Sequence, residues 1–482
     1  MHLSVSFRIL GILLMLFSSV LVLPLALALL ESDHTVEGFV SAIGIIFFAG
    51  LLMWFPVRKV THDLRIRDGF LITSLFWTVL GLFGALPLAL TDTLDLTPVG
   101  AVFESISGLT STGGTVIVGL DDLPRSILLY RQLLQWLGGI GIIVVAVAIL
   151  PMLGVGGMQL YKAETPGPSK DNKLTPRITE TAKALFAVYL SITLCCAAAY
   201  YAVGMSGFDA VAHAFSTVSL GGFSTHDESL GYFKSDAVLI VSSLFMFISS
   251  INFGLHYTAW RRRSVLIYRK DSETRFYCSA MLICILTTIF CLILWEIHGR
   301  KESVLHGVFQ VISIVTTTGF STANLGQWPL ALPIMAIFFS CMGGCVGSTT
   351  GGIKAMRVML ITKQGIRELK QLVHPQAIIP LKVGNNRVPA TVVSAVWSFF
   401  AVYTSTFILL LILLMLTGID FTTSFSAVAA ALNNMGLGIG GVGANFGTLS
   451  ETAKAILCFA MLLGRLEIFT LLVLFTPAFW RI

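Results

Sequence analysis

Four short loops carry the residue types that could coordinate a metal cation. Each loop ends in glycine, follows a short run of apolar and small residues, and lies between two long hydrophobic segments. The loops are Thr110-Ser111-Thr112-Gly113, Ser219-Leu220-Gly221-Gly222, Thr316-Thr317-Thr318-Gly319 and Asn433-Asn434-Met435-Gly436. Backbone carbonyl oxygens in such loops can replace the hydration shell of a potassium ion, and hydroxyl groups add further oxygen atoms. Glycine reaches the backbone dihedral angles that this arrangement requires at little cost.

The four loops are copies of one repeated unit. Their glycines lie roughly a hundred residues apart, and the run 101–107 before the first loop aligns without a gap with the run 210–216 before the second. Irregular backbone inside a bilayer is tolerated only where it is buried in protein or lines a water-filled path. Four loops around one axis would each supply a quarter of every ring of oxygen atoms. The alternative, small residues that only let helices pack closely, is disfavoured by four copies in register.

The composition indicates a membrane protein. Of 482 residues, 55% are hydrophobic and 12% are charged, and the mean hydropathy is +0.86. Soluble domains carry about 25% charged residues. The bilayer lipid is therefore the main solvent, and the net charge of +6 does not indicate a nucleic-acid partner. An enzyme would need clustered His, Asp, Glu or Cys residues, whereas His213 and His226 stand far from any such set. We predict that the chain is not an enzyme.

The hydrophobic segments predict an all-α polytopic membrane protein. Two N-terminal helices precede four units, each made of a span, a pore half-helix, a loop and a second span around one pore. The predicted spans are 7–30, 39–55, 69–90, 130–153, 179–203, 236–260, 276–297, one from about 330, 390–417 and 452–479. The predicted half-helices are 98–109, 207–217, 304–315 and 421–432. The predicted boundaries are 1–68 for the extension and 69–160, 161–262, 263–388 and 389–482 for the four pore units.

The charges between the spans predict the orientation. The links 161–177, 261–275 and 357–388 are basic, which places them and both termini in the cytoplasm. The four loops then enter from the outside. Acidic residues near the outer mouth would raise the local cation concentration, or they are ordinary solvated side chains; the two explanations are about equally supported. These acidic residues are Asp92, Asp95, Asp121, Asp122, Asp227 and Glu228.

A glycine-rich stretch in the third unit predicts a gate. Five glycines fall within residues 341–352, in the middle of a hydrophobic span. Because each glycine costs about 1 kcal/mol in a helix interior, a continuous helix is not expected there. A broken helix would place irregular backbone beside the ion path, whereas a merely kinked helix would have no such role. The predicted gating loop is Gly343, Gly344, Cys345, Val346, Gly347, Ser348, Thr349, Thr350, Gly351 and Gly352.

Arg465 is a charged residue deep inside the last span. Such a residue normally faces a bundle interior or an aqueous cavity, and it has a partner. It could bind carbonyls freed by the glycine-rich break, place a positive charge across the ion path, or contact lipid with no role in conduction. Glu467 is a poor partner because residues two apart do not share a helix face. Asn252, in the middle of the span 236–260, is a weaker polar candidate.

These features together resemble the Trk/Ktr/HKT superfamily of cation uptake proteins, and within it the bacterial TrkH/TrkG branch. The resemblance covers essentially the whole chain. It includes the strings GVGGMQLY at 154–161, GGFSTH at 221–226 and GRLE at 464–467, the last followed by Phe469 and Thr470.

The resemblance implies a potassium-permeating subunit of the bacterial inner membrane. It implies a homodimer with one pore per protomer, filter glycines, a gating loop at about 343–352 and a pore-facing Arg465. It further implies a cytoplasmic TrkA-type partner that binds NAD(H) or ATP/ADP, since this chain has no nucleotide-binding fingerprint of its own. In that family, glycine at all four filter positions accompanies potassium preference, and serine at the first accompanies sodium. The fourth loop departs most from the pattern, with Asn433, Asn434 and Met435.

A potassium symporter coupled to H⁺ or Na⁺ on the same fold remains the alternative. Coupling would be supported by buried acidic residues, for which Glu104 and Glu467 are the candidates. Two such residues do not decide between a channel and a symporter.

Overall fold

The computed structural model describes residues 3–60, 66–144, 174–297, 299–322, 328–329, 331–384 and 386–481. These residues form helices almost throughout, so the predicted all-α class is confirmed. A short antiparallel pair, β1 (Lys382–Val383) with β2 (Asn386–Arg387), lies in the link before the fourth unit.

Several predictions fall outside these ranges. They are the end of the span 130–153, the boundary at 160, the string 154–161 and most of the basic link 161–177.

Three helices form the N-terminal extension. They are α1 (Leu3–Val20), α2 (Val22–Glu31) and α3 (Val36–Trp54). Helices α1 and α3 pack against each other so closely that a Cβ atom on Gly11 would lie 2.6 Å from the carbonyl oxygen of Gly50. Glycine at these positions therefore lets the two backbones approach.

Each pore unit contains a long helix, a short helix and a return segment. The first unit has α4 (Ile66–Phe83), α5 (Leu86–Ala89), α6 (Pro98–Leu109) and α7 (Arg125–Val144). The second has α8 (Leu174–Ala202), α9 (Gly207–Ser219), α10 (Asp236–Ser249) and α11 (Phe253–Arg262). The third has α12 (Leu266–Lys270), α13 (Ser272–Leu294), α14 (Arg300–Val315), α15 (Ala331–Met342) and α16 (Ala355–Val373). The fourth has α17 (Ala390–Met415), α18 (Phe421–Leu432), α19 (Glu451–Arg465), α20 (Phe469–Leu472) and α21 (Pro477–Trp480).

The short helices α6, α9, α14 and α18 are the predicted half-helices. For α6 and α18 the observed bounds equal the predicted ones, while α9 extends to Ser219 and α14 begins at Arg300. Three of them start at a residue whose side chain accepts a backbone N–H of the first turn, the usual N-cap arrangement. These N-caps are Thr97, Ser206 and Asp420.

The four units pack in a closed circle. Each half-helix lies against the return helix of the preceding unit, and the fourth unit closes onto the first. The pairs are α6 with α19, α9 with α7, α14 with α10, and α18 with α15. This arrangement brings the four loops that follow the half-helices to one place.

Two of the predicted spans are bent pairs of helices rather than single straight helices. The segment 236–260 breaks between α10 and α11 with a bend of 93°, and 452–479 breaks after Arg465 with a bend of 107°. At the first break Asn252 accepts the N–H of Gly254 at 2.7 Å, so it is the N-cap of α11. In the described part of the chain, six helices are long and apolar enough to cross a membrane, or eight if each bent pair is one span. The predicted ten also included α7, which reaches the end of a described range, and α15, which has 12 residues.

Candidate ion pathway

The four loops share one backbone conformation. In each loop the second and the fourth residue have positive φ: 51° and 84° in the first, 56° and 79° in the second, 59° and 87° in the third, and 51° and 73° in the fourth. The third residue donates its N–H to the carbonyl five positions earlier, which ends the half-helix in the Schellman manner. These bonds are Thr112 to Ser107, Gly221 to Ser216, Thr318 to Ser313 and Met435 to Ala430, at 2.8–2.9 Å.

The loops join into a ring at their glycines. A Cβ atom on Gly113 would lie 2.0 Å from the carbonyl oxygen of Gly221 in the second loop. The same close approach continues around the circle, from Gly222 to Thr318, from Gly319 to Met435 and from Gly436 to Thr112, at 2.0–2.2 Å. Any side chain at these positions would overlap a backbone oxygen of the next loop. Glycine is therefore required by space as well as by φ.

The loop side chains stabilise the ring. The hydroxyls of Thr110 and Thr112 share a hydrogen bond of 2.7 Å, as do those of Thr316 and Thr318. In the fourth loop the Asn434 amide instead donates to the Thr112 hydroxyl at 3.0 Å. The fourth loop thus keeps the shared backbone although its side chains differ.

One end of the ring opens into a cavity of about 690 Å³, which we call the vestibule. All four loop glycines line it, together with residues that follow the loops. Asp227 and Glu228 are the two residues of the predicted acidic mouth that line this cavity.

The glycine-rich loop lies against the other end of the ring. Helix α15 ends at Met342 and α16 begins at Ala355, so the predicted break in the helix is present. The N–H of Gly351 donates to the Thr317 hydroxyl at 2.8 Å, and a Cβ on Gly351 would lie 1.9 Å from the Asn433 carbonyl oxygen. The Thr349 hydroxyl donates to the Val218 carbonyl, next to the second loop, at 3.1 Å.

Arg465 connects this loop to the ring. Its guanidinium donates to the Thr349 carbonyl at 3.1 Å, to the Ser111 hydroxyl at 3.2 Å and to the Gly138 carbonyl at 3.1 Å. The side chain is buried, with 3% exposure. The prediction that Glu467 is not its partner agrees with the structure, because Glu467 pairs with Arg357 at 2.5 Å.

The glycine-rich loop and the start of α16 are both held by a residue that the sequence did not single out. Glu273, in the first turn of α13, accepts the N–H groups of Val346 at 2.8 Å and Met356 at 3.1 Å. Two basic residues beside this loop are buried rather than exposed. They are Arg357, the first residue of the predicted basic link 357–388, and Lys354, which donates to the Thr350 carbonyl.

Comparison with known proteins identifies the family. A family model described as "Cation transport protein", TrkH, matches residues 36–482. The chain belongs to the TrkH family of cation transport proteins. The resemblance inferred from the sequence is thereby confirmed, and the family is one of transporters rather than enzymes.

Individual relatives match over nearly the whole length. A "Trk system potassium uptake protein TrkH" from Halomonas elongata is 53% identical, with 100% of both chains covered. TrkG of Escherichia coli, named in the same way, is 41% identical over 100% of this chain and 99% of its own. The crystal structure of the potassium transporter TrkH from Vibrio parahaemolyticus superposes with a TM-score of 0.94 at 47% identity, covering 100% of both chains.

In this TrkH-family chain, helix α7 supports the second loop with three polar side chains. Arg131 donates to the Ser224 carbonyl at 3.1 Å and Gln132 to the Phe223 carbonyl at 2.9 Å. Gln135 donates to the Gly221 carbonyl at 2.7 Å. None of the three was predicted from the sequence, although three polar residues on one face of an otherwise apolar helix are a usable signal.

Glu104 is one of the two acidic residues considered for proton coupling. Its carboxylate receives the Arg131 guanidinium at 2.8 Å and the Val116 N–H at 2.9 Å, and both charged side chains are almost fully buried. Glu104 and Glu467 therefore each have an arginine partner in the structure.

Two acidic side chains lie beside His226, which the sequence placed far from any cluster of His, Asp, Glu or Cys residues at catalytic spacing. Its Nδ1 atom lies 2.5 Å from Asp121 and its Nε2 atom 3.5 Å from Asp209, and its ring stacks on Tyr232. Partial burial by itself lowers the pKa of His226, but the two carboxylates outweigh it and raise the pKa above its usual value. Since Asp121 follows the first loop and His226 the second, this pair ties two units together beside the vestibule.

The His226 cluster should make stability depend on pH. A raised pKa in the folded state means that the stabilisation is fully present below about pH 6.5 and is lost as the pH rises through the folded pKa. We therefore expect the thermal unfolding midpoint of the detergent-solubilised protein to fall as the pH rises from about 6.5 through the folded pKa of His226. His226→Gln should remove this slope, whereas His374→Gln, at an exposed position after α16, should retain it. An unchanged slope in His226→Gln would contradict the assignment.

Proposed function

We propose that the chain is a potassium uptake channel subunit in which the ring of four loops is the selectivity filter. The observation that carries this proposal is the closure of the ring, in which every loop glycine packs against a carbonyl of the next loop. The relatives' names, which specify potassium uptake, agree with it.

The filter would act through backbone oxygens. Four loops with one conformation give four equivalent carbonyls per layer, and such rings substitute for the hydration shell of potassium. Each loop also follows the C-terminal end of a half-helix, where the helix dipole places partial negative charge. Potassium is thus the permeant ligand, and no nucleotide or resident cofactor is part of the proposal.

We further propose that residues 343–352 form the gate. The loop contacts the third and fourth filter loops through Gly351, and Arg465 ties it to the first through Ser111. An ion leaving the ring at this end meets backbone and a buried positive charge. Opening would require the loop to leave these contacts.

The charge distribution favours one orientation in the bacterial inner membrane. The links 261–275 and 357–388 each carry six basic residues, which favours a cytoplasmic location for them and for both termini. The vestibule with Asp227 and Glu228 then faces the outside, where it would attract cations.

Regulation would come from a homodimeric assembly with a cytoplasmic TrkA-type partner that binds NAD(H) or ATP/ADP. Helix α16 supports this part of the proposal, because it begins at the glycine-rich loop and carries Lys363, Arg367 and Lys370 beyond it. A partner bound to α16 could therefore act on the loop directly.

Neutralising α16 should weaken partner binding. Replacement of Lys363, Arg367 and Lys370 by glutamine removes three positive charges from this surface, so the affinity for a purified TrkA-type protein should fall. The matched control replaces three exposed basic residues at the other end of the units, namely Lys234, which precedes α10, and Arg300 and Lys301, which begin α14. Unchanged affinity in the α16 variant, measured by surface plasmon resonance, would reject the docking site.

The proposed function is tested by ion flux into liposomes that contain the purified protein. We expect potassium to enter faster than sodium, driven by voltage and the potassium gradient alone. A rate that follows the pH or sodium gradient at fixed voltage would favour the coupled symporter. Equal rates for potassium and sodium would contradict the filter assignment.

A further inference from the structure

We propose that Gln135, a side chain of the first unit, sets the ion preference of the ring by holding one of its four equivalent carbonyls. This inference rests on the proposed function of the ring. It concerns the Gly221 carbonyl, which lies beside Gly113 of the first loop. The carbonyls of Thr318, Met435 and Thr112 lie in the same way beside the glycines of the other three loops.

Gln135 is held in a fixed orientation. Its side-chain carbonyl accepts the Ser216 hydroxyl at 2.7 Å and the Phe223 N–H at 3.2 Å. With the oxygen engaged on one side, the amide nitrogen donates to the Gly221 carbonyl at 2.7 Å. The residue is fully buried, so no solvent competes for these bonds.

The other three loops are built differently. Ser107 and Ser313 donate to carbonyls one residue beyond the loop glycines, those of Gly114 and Phe320. Ser216, the matching serine of the second unit, instead orients Gln135. Among the residues that the structure describes, the counterpart carbonyls of Thr112, Thr318 and Met435 accept no side-chain hydrogen bond.

The Gln135 bond changes what the Gly221 oxygen offers a cation. The donated hydrogen occupies one lone pair and places positive partial charge beside the oxygen. The oxygen is also restrained from moving toward a small ion. Ion selectivity of carbonyl rings depends on the number and field strength of the dipoles. A weaker, restrained oxygen disfavours small, strongly hydrated sodium relative to potassium and rubidium.

The decisive variant is Gln135→Met, which keeps the side-chain length and removes the donor. Flux of sodium, potassium and rubidium into liposomes should shift toward the smaller ions, with sodium rising and rubidium falling relative to potassium. We expect a change of about fivefold in the potassium-to-sodium ratio, which corresponds to one neutral hydrogen bond. A general loss of packing would instead lower the fluxes of all three ions without favouring the smaller ones. The control is Gln310→Met, because Gln310 is equally buried but approaches the Phe320 carbonyl, beyond the ring, at 3.5 Å.

A second variant, Gln135→Glu, keeps the acceptor for Ser216 and Phe223. Protonated at acid pH, the new carboxyl group can donate to the Gly221 carbonyl and should restore the wild-type ion ratio. Ionised at alkaline pH, it cannot donate, and the ratio should move toward sodium. The wild type and Gln135→Met should lack this pH dependence.

The outcomes separate this inference from the filter assignment. If Gly113→Ser changes the ion ratio while Gln135→Met and Gln135→Glu keep the wild-type ratio at every pH, the role of Gln135 is rejected and the filter stands. If Gly113→Ser also leaves the ratio unchanged, the filter assignment itself fails. The inference is supported if the flux ratios of Gln135→Met shift toward the smaller ions and those of Gln135→Glu return to the wild-type values at acid pH.

Discussion

Gly113→Ser should lose most of the preference for potassium over sodium. The serine Cβ would lie 2.0 Å from the Gly221 carbonyl oxygen, and φ at this position is +84°. Either the first loop changes conformation, at about 1–2 kcal/mol for a non-glycine residue in this region, or the second loop retreats. Both displace oxygens of the ring, so we expect the potassium-to-sodium flux ratio to fall by about tenfold or more.

Gly119→Ser is a closely matched control for this experiment. Its φ is +78°, close to that of Gly113, but no atom lies within 4 Å of the added Cβ. It therefore carries a similar backbone strain without the overlap, and its flux ratio should remain that of the wild type. If wild type and Gly113→Ser have equal potassium-to-sodium flux ratios, the ring only packs helices together and the ions take some other path.

Arg465→Met should open the pathway. The guanidinium makes three hydrogen bonds that join the glycine-rich loop, the first loop of the ring and α7. Bonds from a charged donor contribute about 1.5–3 kcal/mol each, so the closed position of the loop loses much of its support. Removal of the positive charge also eases cation passage. Potassium flux in liposomes without any partner protein should rise by about tenfold or more.

Arg465→Lys distinguishes the two causes. Lysine keeps the charge but cannot bind three separated acceptors, so an intermediate flux is expected if both the bonds and the charge matter. Lys454→Met, on the same helix α19, removes another buried basic residue, whose partner is Glu451 at 3.0 Å. Its flux should stay at the wild-type level. A flux in Arg465→Met at or below that of the wild type would contradict the gating role.

Features that depend on neighbouring residues could be predicted from the sequence. The half-helices α6 and α18 have their predicted bounds, because each is the short apolar run that directly precedes a repeated loop. The break after Met342 followed from the local density of glycine. Arg465 was recognised because a charge in an apolar span requires a buried partner.

Contacts between distant parts of the chain could not be predicted. The bend at Asn252 depends on Gly347, whose carbonyl receives the N–H of Phe253 from a different unit. The pairing of His226 with Asp121 joins loops of two units, and the sequence alone gives no distance between them. Glu273 was missed because its span was taken to begin at 276, which left this buried carboxylate in a link.

The ring of glycines also has a consequence for how its chemistry can diverge. In a channel assembled from four identical subunits, every mutation is made four times at once. In the proposed filter one chain carries all four quarters, so a mutation changes a single quadrant and leaves three intact. The fourth loop illustrates this freedom, since Asn433, Asn434 and Met435 occupy the same backbone path as threonines in the third. Ion preference in such a protein can change in small asymmetric steps, which a symmetric tetramer does not allow.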